Sequence, residues 1–210
     1  MTTLHHRSEG AGEPTCVLLH GLAVDSEDLR PLAAHLRPRH RVVSVDLRGH
    51  GQSPGGDGYE IADFAADARA LAERLGVRDA VWIGHSLGGL VALEVAATAP
   101  EHVGALVILD SSPAPTAAAA AGLRALADGL AGVDGEQVWA EFLRTAMPGA
   151  PGQMATAPIA LVSEVVRGFI DYAEQRSVDA LRTCAMPILI VGASAPTPDP
   201  VTVSEAAPQA

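Results

Sequence analysis

The sequence predicts an α/β protein built on a mostly parallel sheet with helices on both faces, and three observations predict it. Short β-branched apolar runs alternate with longer stretches of helical period from Cys16 to Asp110, the pattern of successive βαβ units. Those runs are apolar at consecutive positions, as strands covered on both faces must be. At 210 residues the chain is long enough for one domain with an insertion and a sizeable core.

The elements follow in order. CVLLH (16–20) reads as a strand, and Leu29, Leu32, Ala33 and Leu36 then recur at helical spacing. RVVSVDL (41–47) is a second strand. Phe64, Ala68, Leu71 and Leu75 form the next helix face, which Gly76 stops. AVWIG (80–84) is the third strand, residues 87–99 are a helix closed by Pro100, and ALVIL (105–109) is the fourth strand. The run SSPAPTAAAAAG then opens a segment of weak helical patterning, so residues 113–176 are read as a small helical cap inserted between core parts 1–112 and 177–210. For the Gly- and Pro-rich stretch 147–158 the alternative is a loose excursion. A short helix around 178–183 leads to a last strand, PILIV (187–191), and the Pro-rich tail from Ala193 carries no further strand and helix.

Composition narrows the chemistry. Hydrophobic residues make up 48% of the chain, which rules out disorder of the whole, and with only 3% aromatics the core rests on Ala, Leu and Val. All 14 basic residues are Arg, since the sequence contains neither Lys nor Asn. A Schiff-base lysine, a phosphate-loop lysine and a Cys-His-Asn triad are therefore excluded. A net charge of −11 repels nucleic acid and anionic membrane surfaces. The first 13 residues lack the apolar centre of a secretory signal, and no run approaches ~18 apolar residues, so a cytoplasmic protein with no membrane segment is expected. Cys16 and Cys184 are expected to be buried thiols rather than a disulfide.

The chemistry concentrates at strand ends. Gly84-His85-Ser86-Leu87-Gly88-Gly89 stands between a strand and a helix, the setting in which G-x-S-x-G forms a nucleophile elbow. The glycines let helix and strand approach closely while a strained turn presents Ser86. The backbone N–H groups of Leu87, at the helix start, and of Leu22, after His20-Gly21, are the candidate oxyanion hole. Asp46-Leu47-Arg48-Gly49-His50-Gly51-Gln52-Ser53 ends the second strand. With HG, D-x-R-G-x-G-x-S and G-H-S-x-G-G in this order, the chain resembles the α/β-hydrolase family from about residue 4 to residue 192.

The resemblance implies a Ser nucleophile, then an acid, then a catalytic His in chain order, with no metal and no cofactor. Ser86 takes the first role. Asp199, after PILIV, is the candidate acid and Asp110 the alternative. Asp57, Asp63 and Asp67 read as solvated or helix-capping carboxylates. The eight His stand at 5, 6, 20, 35, 40, 50, 85 and 102, so none follows His102 and the family's histidine position is empty. His102 lies beyond the helix that follows Ser86, about 24 Å away at ~1.5 Å per residue. His85, the strand neighbour of Ser86, is expected to point away from it. His20 and His50 sit on loops at the catalytic edge. An apolar last strand left as a sheet edge is unusual, so the chain reads as C-terminally incomplete.

The expected function is hydrolysis of ester or thioester bonds in a small, mainly apolar substrate, impaired by the missing His. The alternatives are a non-catalytic module that binds a small ligand, and a carbon–carbon bond hydrolase of the same fold. No partner beyond that small molecule is expected, and oligomeric state is not legible.

Overall fold

In the computed structural model, which describes residues 2–146, 158–192 and 203–206, the expected alternation forms a seven-stranded sheet of order β1-β3-β2-β4-β5-β6-β7. Strands β2 (Cys16–Leu19), β3 (Val42–Val45), β4 (Ala80–His85), β5 (Val103–Leu109) and β6 (Ile188–Val191) are mutually parallel. Two antiparallel edges complete the sheet. β1 (His6–Glu9) pairs with β3 and β7 (Val203–Ala206) pairs with β6.

Both edges correct the sequence reading. HRSE shows no apolar alternation, and its strand exists because the backbone of β3 offers it a ladder, with His6 opposite Val45 and Glu9 opposite Val42. The tail was expected to hold no strand, yet Val191 stands opposite Val203 and Ile188 opposite Ala206. PILIV is therefore no bare edge, and Ile188–Val191 are half-buried rather than enclosed.

Helices cover both faces. In β2, Cys16 and Leu18 point to one face, where Leu29, Ala33 and Ile83 bury them with α1 (Arg30–Leu36). Val17 and Leu19 point to the larger core, shared with α2 (Ile61–Leu75) and α3 (Leu87–Thr98). α2 buries the expected face of Phe64, Ala68 and Leu71. Its start is a capping box in which Glu60 and Asp63 exchange side-chain and backbone hydrogen bonds, and Gly76 ends it in the left-handed conformation. α3 is buried at every position from Leu87 to Ala96, so it has no polar stripe. Its one acidic residue, Glu94, is buried and satisfied by the Tyr172 hydroxyl at 2.9 Å and by Arg176 Nη2 at 2.9 Å.

After β5 come α4 (Ala117–Leu130), α5 (Gly135–Ala146), α6 (Ile159–Gln175) and α7 (Ser177–Thr183). The Ser163 hydroxyl donates to Ala127 O at 2.8 Å and ties α6 to α4, while Glu94 ties the end of α6 to α3. Residues 147–157, most of the stretch for which a loose excursion was the alternative, lie outside the described residues. Cys16 is buried and Cys184 half-buried, and both are free thiols. Among the described residues no helix is long and apolar enough to cross a membrane.

Candidate active site at the C-terminal edge of β4

β4 ends at His85, and the chain then turns sharply. Ser86 adopts φ 49° and ψ −113°, a region that residues with a Cβ rarely enter, before α3 begins at Leu87. Three backbone bonds hold the turn: Ser86 N–H to Leu109 O at 2.9 Å, Gly88 N–H to His20 O at 3.1 Å and Gly89 N–H to Ser86 O at 2.9 Å. The packing requires glycine at two positions. A Cβ on Gly84 would lie 2.1 Å from Gly88 O, and one on Gly88 would lie 2.2 Å from Leu19 O. Ser86 is left half-buried at the head of a helix, whose first N–H groups have no intrahelical acceptor.

The candidate oxyanion donors belong to the two segments that meet at Ser86. Leu87 opens α3, so its N–H belongs to that unsatisfied first turn. Leu22 follows Gly21, whose Cβ direction is 3.5 Å from Ser86 Cβ, which brings the HG loop alongside Ser86.

The second-strand motif is a clamp. Asp46 is buried, and its carboxylate accepts from Ser26 N–H at 2.9 Å, Gln52 N–H at 3.0 Å and His5 Nδ1 at 2.9 Å. Burial alone would raise its pKa, but these donors outweigh burial and hold it below the usual carboxylate range. The Ser53 hydroxyl donates to Asp46 O at 2.6 Å. Arg48 turns inward and binds Asp67 at 2.7 Å, so Asp67 is the buried half of an ion pair and not the solvated or capping carboxylate expected. Asp63 does cap α2, as expected.

The histidines separate by environment. His20 Nε2 accepts from Leu47 N–H at 3.0 Å, so Nδ1 carries the proton and donates to Gly21 O at 2.7 Å. Both nitrogens are engaged, and burial, with His50 adding to it, pushes the imidazole down to about 4. His20 is thereby removed as a base. His50 donates from Nδ1 to Arg48 O at 2.9 Å, and its buried Nε2 has no partner among the described residues. Burial lowers its pKa too. His102 lies at the opposite end of the sheet, beside the start of β5, and bonds Val77 O at 2.7 Å. His85 Nδ1 is 3.4 Å from Asp28 Oδ2, close enough for an ion pair but without the alignment of a hydrogen bond.

The neutral, buried His20 gives a pH dependence. The unfolded chain takes up a proton on this imidazole below about pH 6.5, and the folded protein only near about pH 4. In that window the unfolded state binds more protons, so stability should fall as the pH drops, by about 3 kcal/mol at the lower end. Urea midpoints measured at about pH 7 and about pH 4 should separate less in His20→Gln than in the wild type. Equal separations would mean that His20 titrates normally in the fold.

The two candidate acids fare differently. Asp110 stands at the C-terminal end of β5, one residue past the acceptor of Ser86 N–H, at φ 46°, and its N–H bonds Val191 O at 2.7 Å. Asp199 lies outside the described residues. Asp28 was not singled out in the sequence, because an acid in SEDL looks like any solvated turn residue until folding sets it beside His85. No group of three or more His, Cys, Asp or Glu that could hold a metal occurs among the described residues.

The model of the family described as the alpha/beta hydrolase fold matches residues 14–153, from the start of β2 past the elbow and beyond α5. The chain belongs to the α/β-hydrolase family. A pimeloyl-[acyl-carrier protein] methyl ester esterase of Pectobacterium carotovorum subsp. carotovorum (strain PC1) is 41% identical over 113 residues, 54% of this chain and 43% of that protein. A 2-(acetamidomethylene)succinate hydrolase of Mesorhizobium japonicum is 37% identical over 112 residues, 53% of this chain and 40% of the relative. The chain thus spans less than half the length of these curated relatives. A solved structure of E-2-(acetamidomethylene)succinate hydrolase superposes with a TM-score of 0.69 at 28% identity, covering 90% of this chain and 76% of the other. In this α/β-hydrolase chain the sharp turn at Ser86 lies between β4 and α3, the junction that the G-x-S-x-G motif occupies.

Proposed function

We propose that this α/β-hydrolase chain carries the nucleophile and oxyanion elements of a serine hydrolase acting on ester or thioester bonds of a small, mainly apolar substrate. The observation that carries the reading is Ser86 at φ 49°, a strained non-glycine residue held by three backbone bonds at the head of a buried helix. Such strain persists only where the surroundings impose it, and here it lifts one hydroxyl out of the sheet edge. Ser86 Oγ attacks the substrate carbonyl, the N–H groups of Leu22 and Leu87 hold the developing oxyanion, and water then releases the acyl group. Two relatives, named as a pimeloyl-[acyl-carrier protein] methyl ester esterase and a 2-(acetamidomethylene)succinate hydrolase, support carbonyl chemistry of this class.

Asp110 is the candidate acid among the described residues, and Asp199 is its alternative from the sequence. Helices α4–α6, within 113–176, are proposed to form the cap that sets substrate size.

The test is labelling of the 210-residue chain with a fluorophosphonate probe beside Ser86→Ala, with circular dichroism on both. Labelling confined to the wild type is the expected result. The rival reading, a non-catalytic ligand-binding module, is favoured by the engagement of both His20 nitrogens. A well-folded chain that never labels would support the rival.

A further inference from the structure

The charges of this chain are unevenly placed about the sheet. With no Lys in the sequence, its fixed side-chain cations are Arg, and every one of them falls among the described residues. All but Arg39, Arg41, Arg74 and Arg78 pair with a carboxylate among those residues. Arg39 and Arg41 stand in the stretch that leads into β3, and Arg74 and Arg78 in the one that leads into β4. Both stretches lie at the N-terminal edge of the parallel strands, whereas Ser86 lies at the C-terminal edge. β4, six residues long, sets the two edges about 20 Å apart at ~3.3 Å per residue, twice the ~10 Å screening length of 0.1 M salt.

The Ser86 edge carries the opposite charge. The segments that follow β2, β3 and β5 bring Asp25, Asp28, Asp46, Asp57 and Asp110 there. The guanidiniums that reach this edge are engaged, Arg7 and Arg30 on Glu27 and Arg48 inward on Asp67. Asp28 has no guanidinium on it and is 34% accessible. It lies 3.4 Å from His85 Nδ1, and a Cβ built on Gly21 would meet that same nitrogen at 3.1 Å and Ser86 Cβ at 3.5 Å. The His85 contact outweighs burial and holds the Asp28 carboxyl below its usual range, so it is ionised at neutral pH.

Resting on the serine-hydrolase reading above, we infer that the Ser86 edge selects its ester or thioester by charge, admitting neutral and cationic substrates and turning away those that bear a carboxylate or phosphate. Asp28 is a specificity-determining residue of that selection. A surface carrying one sign of charge concentrates ligands of the other sign and depletes those of its own. An anion arriving at Ser86 would also lose hydration with no unengaged guanidinium at this edge to replace it.

The experiment follows thiol release from three acetyl thioesters by the 210-residue chain at about pH 8, above the ordinary imidazole range, in about 10 mM and about 300 mM NaCl, with circular dichroism on every variant. The substrates are acetylthiocholine, a cation, S-acetyl-3-mercaptopropionate, an anion, and the neutral methyl ester of the latter. Because the three thiols leave with different ease, each substrate is first compared with itself. Added salt should slow acetylthiocholine and speed the carboxylate, each by about threefold or more, and leave the methyl ester unchanged. At low salt the methyl ester should react about tenfold faster than the carboxylate. Asp28→Asn should shrink that ratio by at least about twofold, whereas Asp79→Asn, at the opposite edge just before β4, should leave it unchanged. A merely structural Asp28 would change all three rates alike. Ser86→Ala should abolish release.

A carboxylate that reacts as fast as its methyl ester, or rates that ignore salt, with release still lost in Ser86→Ala, would overturn the charge selection and leave the serine-hydrolase reading intact. Release that persists in Ser86→Ala would overturn the reading itself. A folded wild-type chain that releases thiol from none of the three would overturn both.

Discussion

Replacing Gly88 by alanine should abolish Ser86 labelling and lower the unfolding midpoint by more than an ordinary overpacked core position, for which about 3 kcal/mol is the upper end. The added Cβ would lie 2.2 Å from Leu19 O, 2.6 Å from Leu19 C and 2.7 Å from His20 O. All three are backbone atoms of β2 or the residue after it, so no rotamer change can relieve the clash. α3 must move off the sheet, and the bonds from Ser86, Gly88 and Gly89 that hold the elbow break with it. Gly84→Ala should behave alike, since its Cβ would meet Gly88 O at 2.1 Å. Gly122→Ala is the control. It lies exposed within α4 with nothing within 4 Å of the added atom, and should stabilise the chain by about 1 kcal/mol through helix propensity alone. Thermal unfolding of the three variants, each with labelling, checks the set. A Gly88→Ala chain that labels normally would mean that the elbow does not depend on this close approach.

Arg48→Met should cost about 3–5 kcal/mol, the penalty for stranding one partner of a buried ion pair. Arg48 and Asp67 side chains are 4% and 0% exposed, and Arg48 Nη1 also donates to Gly58 O at 2.8 Å, joining the Asp46 turn to α2. Removing the guanidinium leaves the Asp67 carboxylate with the Thr2 N–H, at 2.7 Å, as a partner among the described residues. The double variant Arg48→Met, Asp67→Leu should recover much of the loss, because an apolar pair strands no charge. Urea unfolding of the single and double variants closes the cycle. Near-additive losses would show that the two residues act independently.

Residues 80–98 carried their own instructions. An apolar strand, then Gly-x-Ser-x-Gly-Gly, then an apolar helix closed by Pro100 is local information, and the structure places β4, Ser86 and α3 there. The capping carboxylate Asp63 and the helix stop at Gly76 were legible for the same reason, since caps act over three or four residues. The edge strands were not. His6–Glu9 has no periodicity of its own, and only the backbone of β3, some 35 residues away, makes it a strand. Asp67 looked solvated because its partner is 19 residues upstream.

The sequence by itself therefore determined the parallel α/β core, the family and the strand-to-helix turn that carries Ser86, because each is written in periodicity or in a short motif whose glycines allow a close packing. Tertiary structure decided the surroundings of Ser86. It committed both nitrogens of His20, sealed His50, and brought Asp28 and His85 together beside Gly21. Burial and hydrogen bonding are properties of the space around a side chain, and the packing of distant segments fills that space.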